Sequence, residues 1–304
     1  MKLNSANITD KERSTHTKSD ADRPHVKKPD WLKIKLGETE RFTQTKNIVE
    51  THRLHTICSS GRCPNMSECW DRGTATFMIA GDICTRSCKF CNTHTGKPLP
   101  LDLKEPGNVA ESVKLMKLKH VVITSVDRDD LSDLGAEHWV KTIEAVRREN
   151  PGTTIEILIP DFQGKETLID KVCAAKPDVV AHNMETVRRL TPQIRSAAKY
   201  EVSLKTLKRI ADNGIFCKSG IMVGLGETQD EIYELMDDLL TVGCQSLTIG
   251  QYLQPSRRHY PVQEYIHPEV FNEYKHIALQ KGFKTVVSGP LVRSSYHADI
   301  SFHS

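Results

Sequence analysis

The stretch TATFMIAGDICTRSCKFC, residues 74–91, joins a mostly apolar run to three closely spaced cysteines. Cys84, Cys88 and Cys91 have the spacing C-x3-C-x2-C, so one short loop offers three thiolates to a [4Fe–4S] cluster. The fourth iron then has no ligand from this loop and is open to a small molecule. We expect that molecule to be S-adenosylmethionine (SAM), bound through its amino and carboxylate groups. Structural zinc is the alternative, but zinc prefers four closed ligands arranged as two cysteine pairs.

A second set of three cysteines precedes the first. Cys58, Cys63 and Cys69 have the spacing C-x4-C-x5-C within CSSGRCPNMSECW, again without an obvious fourth ligand. One zinc cluster with six cysteines is an alternative, although its thiolates would normally be shared in pairs. A disulfide framework is disfavoured, because a chain of 304 residues does not need one. We expect the remaining cysteines, Cys173, Cys217 and Cys244, to be buried core residues.

Length and composition indicate an ordinary enzyme with one large α/β barrel or two modest domains. Hydrophobic residues make up 38% and charged residues 27%, and no apolar run approaches membrane-spanning length. The start has no apolar signal region and contains acidic residues, so we expect a cytoplasmic, reducing location. The net charge of +3 is too small to imply nucleic-acid binding. Arg257, Arg258 and His259 form either a solvated loop or a contact to an acidic partner.

From residue 74 onward, strand-like and helix-like segments alternate. The expected strands are TATFMIAG, HVVITSV, TIEILIP, DVVAHN, CKSGIMVG and SLTIGQYL, with a seventh extended piece in KTVVSG. The expected helices span 106–119, 134–149, 165–176, 201–213, 227–243 and 268–282, and a weaker helical pattern covers 41–54. Such alternation predicts a parallel sheet with helical crossovers.

Six such units predict an α/β fold with a partial (β/α)6 barrel, whose functional groups follow the C-terminal ends of the strands. The cysteine loop, residues 84–91, lies at such a position. A doubly wound open sheet is the alternative fold, but its glycine-rich dinucleotide turn is missing after the first strand.

Six stretches together resemble the lipoyl synthases of the radical SAM superfamily, and they run from about residue 55 to 299. They are CSSGRCPNMSECW, GTATFMIAGDICTRSCKFC, VVITSVDRDDL, KSGIMVGLGET, GQYLQPS and GPLVRSSYHA. The cysteine loop alone is typical of the whole superfamily, whereas the second cysteine set and the late RSSY point to this family. The resemblance implies a partial barrel of the radical SAM type, with N- and C-terminal extensions covering its mouth.

The same resemblance divides the chain into four parts. Residues 1–30 form a flexible polar segment, and 31–73 form an extension carrying the auxiliary-cluster cysteines. Residues 74–285 form the barrel, and 286–304 carry the RSSY cluster ligand.

The resemblance also implies roles for residues around SAM. Phe90 would lie near the adenine, with core packing as the equal alternative. Thr124, Ser125 and Asp127 would hold the amino group, or else form an ordinary turn. Asn183 and Glu185 would contact the ribose hydroxyls, while Gly220 and Gly224 would allow close approach of the backbone. For Glu227 we favour a structural role at the start of the next helix.

For the reaction, the resemblance implies two [4Fe–4S] clusters, with SAM consumed as co-substrate. Cys84, Cys88 and Cys91 would hold the SAM-binding cluster, and Cys58, Cys63, Cys69 and Ser295 the auxiliary cluster. A 5′-deoxyadenosyl radical would remove hydrogen from C6 and then C8 of an octanoyl chain on a carrier lysine, and the auxiliary cluster would supply sulfur. No separate catalytic residue is expected.

The implied partners are octanoylated lipoyl carrier domains, namely the E2 subunits of 2-oxoacid dehydrogenases and the glycine-cleavage H protein. A flavodoxin or ferredoxin-type donor and an iron–sulfur carrier protein are also implied, with no nucleic acid and no membrane. Two alternatives are a methylthiotransferase, whose additional RNA-binding type domain no segment supplies, and a non-catalytic metal-binding module.

Overall fold

The computed structural model describes residues 27–34, 39–52, 54–72, 74–296 and 298. Residues 1–26, which make up most of the segment expected to be flexible, lie outside the described residues. The strands are β1 His55–Thr56, β2 Thr76–Ile79, β3 Ile83–Cys84, β4 His94–Thr95, β5 His120–Ser125, β6 Thr154–Leu158, β7 Val179–Ala181, β8 Phe216–Val223, β9 Ser246–Gln251 and β10 Thr285–Gly289. The helices are α1 Glu40–Thr51, α2 Ile57–Ser60, α3 Met66–Asp71, α4 Glu105–Leu115, α5 Ala136–Glu149, α6 Glu166–Ala174, α7 Thr191–Ile194, α8 Tyr200–Asp212, α9 Gln229–Thr241 and α10 Pro268–Lys281.

One sheet of eight strands organises the molecule, in the order β1-β2-β5-β6-β7-β8-β9-β10. β1 pairs antiparallel with β2, and every later neighbouring pair is parallel. A helix follows each of β2, β5, β6, β7, β8 and β9, and β10 adds a seventh parallel strand. These six strand–helix units confirm the expected α/β fold of the partial (β/α)6 type.

The strands are rich in β-branched residues and are buried on both faces, as parallel strands covered by helices should be. In β5, five of the six residues are buried, and all of β9 is buried. The helix boundaries follow local sequence signals. Thr228 and Glu231 form a reciprocal capping box at the start of α9, and Pro268 opens α10, which ends at Gly282 with a positive φ of 122°.

A buried ionic group lies on the strand face that also bears the site described below. Lys218 Nζ on β8 lies 2.7 Å from Glu156 Oε1 on β6, and His120 Nε2 on β5 lies 3.1 Å from Glu156 Oε2. All three side chains are at most 4% exposed. Mutual pairing is what makes such deeply buried charges tolerable. The group therefore ties β5, β6 and β8 together.

The N- and C-terminal segments meet at the first barrel strand. Phe42 on α1 packs against Trp70 on α3, with ring centroids 5.2 Å apart. Asn65 Nδ2 donates to the Leu291 carbonyl at 2.7 Å, and Tyr296 donates to Glu68 at 3.1 Å. These contacts bring the second cysteine set and the RSSY motif to the same place.

The expected strands and long helices are confirmed, with boundaries shifted by a few residues. The largest shift is in α4, which ends at Leu115 rather than 119 because Lys117 takes a left-handed φ of 52°. Sequence patterns did not predict β1, α2, α3, β3, β4 or α7, since each is six residues or shorter. Cys173, Cys217 and Cys244 are buried as expected. None of the described helices is long and apolar enough to cross a membrane.

Candidate functional site: two cysteine-lined cavities

The C-terminal ends of the parallel strands surround a first cavity of about 550 Å³. The three cysteines of the cysteine loop all line it. So do most residues expected to contact SAM, namely Phe90, Thr124, Ser125, Asp127, Asn183, Glu185 and Gly220. The fold thus brings together residues that are separated by more than 130 positions in sequence.

Backbone hydrogen bonds anchor the cysteine loop to its surroundings. Thr85 N donates to the Asp127 carbonyl at 3.1 Å, and Lys89 N donates to the Ile194 carbonyl at 2.8 Å. The Cys91 carbonyl lies 3.0 Å from Nε2 of His259, whose other ring nitrogen lies 2.9 Å from Ser256 Oγ. The loop is therefore held at both of its ends and near its middle.

The thiols of this loop are buried in different degrees. Cys84 Sγ accepts two backbone N–H bonds, from Arg86 and Asp127, each at 3.4 Å. Burial, reinforced by the Asp127 carboxylate, raises the pKa of Cys84 to about 12, and burial also raises the pKa of Cys91. Metal ligation requires thiolates, so binding of iron here must release protons.

Arg86, inside the cysteine loop, is the centre of a charged cluster that the sequence did not reveal. Its guanidinium contacts Asp129 at 2.8 Å, Asp161 at 2.8 Å and Asp127 at 3.3 Å. These carboxylates raise the pKa of Arg86, and Arg86 holds the pKa values of Asp129 and Asp161 below their usual range. Burial instead raises the pKa of Asp127 to about 6. The stretch DRDD, residues 127–130, supplies Asp127 and Asp129, but nothing in it indicates pairing with the cysteine loop.

An unpaired polar atom lies in the wall of the first cavity. Oδ1 of Asn183 is buried and has no hydrogen-bond partner among the described residues. Gly220 lies against it, and a Cβ at that position would come within 2.9 Å of Asn183 Oδ1 and 2.5 Å of Thr248 Oγ1. Glu185 adopts a left-handed φ of 65°, which is unusual for a non-glycine residue and often marks a functional site. This wall suits a ligand that carries hydroxyl groups.

The residues after β5 and β8 have other contacts as well. Thr124 Oγ1 donates to the Leu158 carbonyl at 3.1 Å, so the proton of this hydroxyl is already used in a hydrogen bond from β5 to β6. Gly224 does not line the first cavity, and a Cβ there would overlap Gln251 and the Glu264 carbonyl. Glu227 accepts from the backbone N–H groups of Gly224 and Leu225, at 2.5 and 2.9 Å. Its role is therefore structural, but it holds the turn after β8, whereas Thr228 and Glu231 cap the start of α9.

A second cavity of about 250 Å³ contains the other cysteine set. Cys58, Cys63, Cys69 and Ser295 all line it, whereas Ser294 lines the first cavity. Burial and the neighbouring thiols raise the pKa of Cys69 to about 12 and also raise that of Cys63. The three thiols lie close together, since all of them line this one cavity.

Cys63 and Arg293 line both cavities, so the two spaces share a wall. Neither Arg293 nor Thr76, which lines the second cavity, was identified from the sequence as a site residue. Within the described ranges, no group of three or more His, Cys, Asp and Glu side chains is placed to hold a single metal ion. A cubane cluster instead takes one protein ligand per iron, and soft thiols that line a cavity suit it.

Comparisons with known proteins agree with this geometry. The family model described as "Radical SAM superfamily" matches residues 78–239. The chain is 69% identical to the lipoyl synthase of Phocaeicola vulgatus over 275 residues, which cover 90% of this chain and 97% of that one. It is 68% identical to the lipoyl synthase of Parabacteroides distasonis, with 90% and 98% coverage.

Among solved structures, Streptococcus suis SuiB bound to S-adenosylmethionine matches with a TM-score of 0.57 at 13% identity. The match covers 73% of this chain and 54% of that chain, and it concerns the fold alone. The fold and the cysteine loop define a member of the radical SAM superfamily. Within that superfamily, the chain belongs to the lipoyl synthase family.

Proposed function

We propose that this protein inserts sulfur at C6 and C8 of an octanoyl chain that is amide-linked to a lysine of a lipoyl carrier protein. The observation that carries this proposal is the presence of two adjoining cavities that share a wall, each of which contains one complete set of three cysteines. One three-cysteine site would suffice for radical formation. A second site supports a separate source of sulfur.

The donor sets fit two [4Fe–4S] clusters. Cys84, Cys88 and Cys91 would hold the SAM-binding cluster. Cys58, Cys63, Cys69 and Ser295 would hold the auxiliary cluster, whose fourth ligand is a hard oxygen that matches a sulfur-rich iron poorly. When bound, the clusters and SAM supply electron transfer, a radical able to take hydrogen from an unactivated C–H bond, and sulfur.

The remaining residues of the first cavity would position SAM. Asn183 Oδ1 is free to accept from a ribose hydroxyl, and the bare backbone at Gly220 leaves room for close approach. Asp127 and Ser125 line the wall where an ammonium group would be held, and Phe90, within the cysteine loop, would offer a surface for adenine. Arg86 would fix the loop by pairing with three carboxylates.

Membership of the family implies lipoyl carrier proteins as substrates. We further propose that these are E2 subunits and the H protein, with a flavodoxin or ferredoxin-type reductant and an iron–sulfur carrier that rebuilds the auxiliary cluster. A reducing cytoplasm suits the cluster thiolates. The division into segments 31–73, 74–285 and 286–304 belongs to the same proposal.

Anaerobic reconstitution with iron and sulfide tests the function. We expect about eight irons per chain, cleavage of SAM, and an octanoyl-lysine peptide that gains two sulfur atoms by mass spectrometry. One or two zinc ions per chain without SAM cleavage would instead identify a metal-binding module.

A further inference from the structure

Basic side chains lie in the segments around the opening of the first cavity, whereas the cavity wall itself also contains Asp127, Asp161 and Glu185. Exposed Lys28 and Arg62 line the cavity, so it opens beside them. We define the basic rim as four segments around this opening, residues 57–67, 85–99, 194–200 and 254–263. None of these segments contains Asp or Glu, although the chain as a whole has 39 acidic residues among 304.

Hydrogen bonds hold the four segments of the basic rim together as one surface. They run from Arg62 Nη1 to the Pro255 carbonyl at 3.5 Å, from Asn92 Nδ2 to the Ser60 carbonyl at 2.8 Å, from Tyr260 N to the Lys89 carbonyl at 2.8 Å, and from Ser87 N to Ser196 Oγ at 3.0 Å. The cations of the rim therefore act from neighbouring positions and add to a common field.

Most cations of the rim are directed to solvent and are not neutralised. Exposed side chains belong to Lys89, Lys97, Lys199, Arg257 and Arg258. None of them forms an ion pair with another residue in the part of the chain that the structure describes. Elsewhere on the surface, cations are commonly paired, as Arg189 is with Glu231 and Lys281 with Asp237. The rim thus differs from the rest of the surface in charge balance.

The pair Arg257–Arg258 is presented on an anchored turn. The two ring nitrogens of His259 lie within hydrogen-bond distance of Ser256 Oγ and the Cys91 carbonyl. In addition, Gln254 Nε2 donates to the His259 carbonyl at 2.9 Å. An ordered turn loses little conformational freedom when it binds a partner. The two arginines therefore lie at a fixed place beside the cysteine loop.

We propose that the basic rim docks an acidic face of the lipoyl carrier domain whose octanoyl-lysine enters the first cavity, an inference that rests on the proposed function. A protein-borne substrate must cover the opening through which its lysine arm passes, so the rim is the surface that this partner meets. Complementary charge would steer the encounter and set the orientation. An acidic electron donor is the competing occupant, and the test separates the two.

The test uses the charge-reversed double variant R257E/R258E of the reconstituted holoenzyme, with dithionite as reductant. For an octanoylated carrier domain at low salt, we expect KM to rise on the order of tenfold, with kcat unchanged. For a short, uncharged octanoyl-lysine peptide, KM should stay at the parental value. Fluorescence anisotropy measures binding of the carrier domain without turnover. The affinity of the variant should be lower than that of the parent by a similar factor, and added salt should lower the affinity of the parent likewise.

K205E/K275E is the matched control, because it makes the same charge change at exposed lysines on α8 and α10. It should leave both KM values unchanged. An equal rise in KM for peptide and carrier with R257E/R258E would overturn the docking role. So would a parental KM for the carrier with dithionite, combined with a loss of rate when reduced flavodoxin replaces dithionite. Failure of the parent enzyme to convert the peptide would refute the proposed function itself.

Discussion

The hydroxyl of Thr76 donates a 2.9 Å hydrogen bond to Oγ of Ser295, across 219 positions of the sequence. Thr76 opens β2, so this bond joins the C-terminal segment to the first strand of the barrel. The backbone N–H of Thr76 also lowers the pKa of the Cys58 thiol, against the larger, raising effect of burial. Thr76 therefore lies between Ser295 and Cys58, and all three residues line the second cavity.

Replacing Ser295 by alanine should preserve SAM cleavage and impair sulfur insertion, because only the second cavity loses a ligand. Ser295→Cys should bind iron more strongly and slow the loss of iron that sulfur donation requires. The measurement is lipoyl product and 5′-deoxyadenosine per chain. Ser294→Ala is the control and should stay close to the parent. If it is the inactive variant, the ligand has been assigned to the wrong serine.

Thr76→Val should perturb the second cavity but leave cluster binding in the first cavity intact. Loss of one buried hydrogen bond should cost about 1 kcal/mol of stability. It should also alter the EPR spectrum of the auxiliary cluster, while the spectrum of the SAM-binding cluster stays unchanged. Thr76→Ser keeps the hydroxyl and should retain the parental spectrum. Identical spectra for the valine variant and the parent would contradict a positioning role for Thr76.

Cys88→Ala should lower SAM cleavage by more than about 100-fold, because two thiolates do not retain a cluster with an open iron. Anaerobic assay of 5′-deoxyadenosine measures this. Cys63→Ala is the comparison variant, and it should cleave SAM but yield no thiolated peptide. Loss of both products in Cys63→Ala, with the first cluster spectroscopically intact, would show that the two sites do not have separate roles.

Gly220→Ala should weaken SAM binding, because the new Cβ would press on Asn183 Oδ1 and Thr248 Oγ1. Crowding of this kind typically costs about 1–3 kcal/mol. Anaerobic equilibrium dialysis of SAM and the melting temperature report the two effects. Gly107→Ala on α4 is the control, since a Cβ there meets nothing within 4 Å. That variant should bind SAM normally and gain about 0.5–1 kcal/mol of helix stability.

Arg86→Met should destabilise the protein by about 3–5 kcal/mol, because it leaves the buried carboxylate of Asp161 without its cation. The arginine side chain is 6% exposed and that of Asp161 is 3% exposed, so water cannot replace the lost partner. Chemical unfolding under anaerobic conditions measures the change. Arg148→Met removes an exposed pair with Glu149 and should cost less than about 1 kcal/mol. Similar losses for the two variants would contradict the importance of burial at Arg86.

Much of the fold could be predicted from the sequence, because hydrophobic residues recur with the spacing of helices and strands. The buried runs of β5 and β9 and the amphipathic patterns of α5 and α8 are long enough to carry a clear signal. The short elements around the second cysteine set were not predicted. α2 and α3 have four and six residues, too few for a period of 3.6 to be recognised.

The cysteine spacing by itself determined that this chain offers three thiolates on one loop after a barrel strand, because neighbours in sequence must be neighbours in space. The motifs also indicated the family. The resemblance also assigned Ser295 to the second cysteine set, but only the tertiary structure brings Ser295 and Cys58 into one cavity. It alone placed Arg86 among three carboxylates and gathered the cations of the basic rim. Each of these relationships joins distant segments, and their proximity depends on how strands and termini pack rather than on any local pattern.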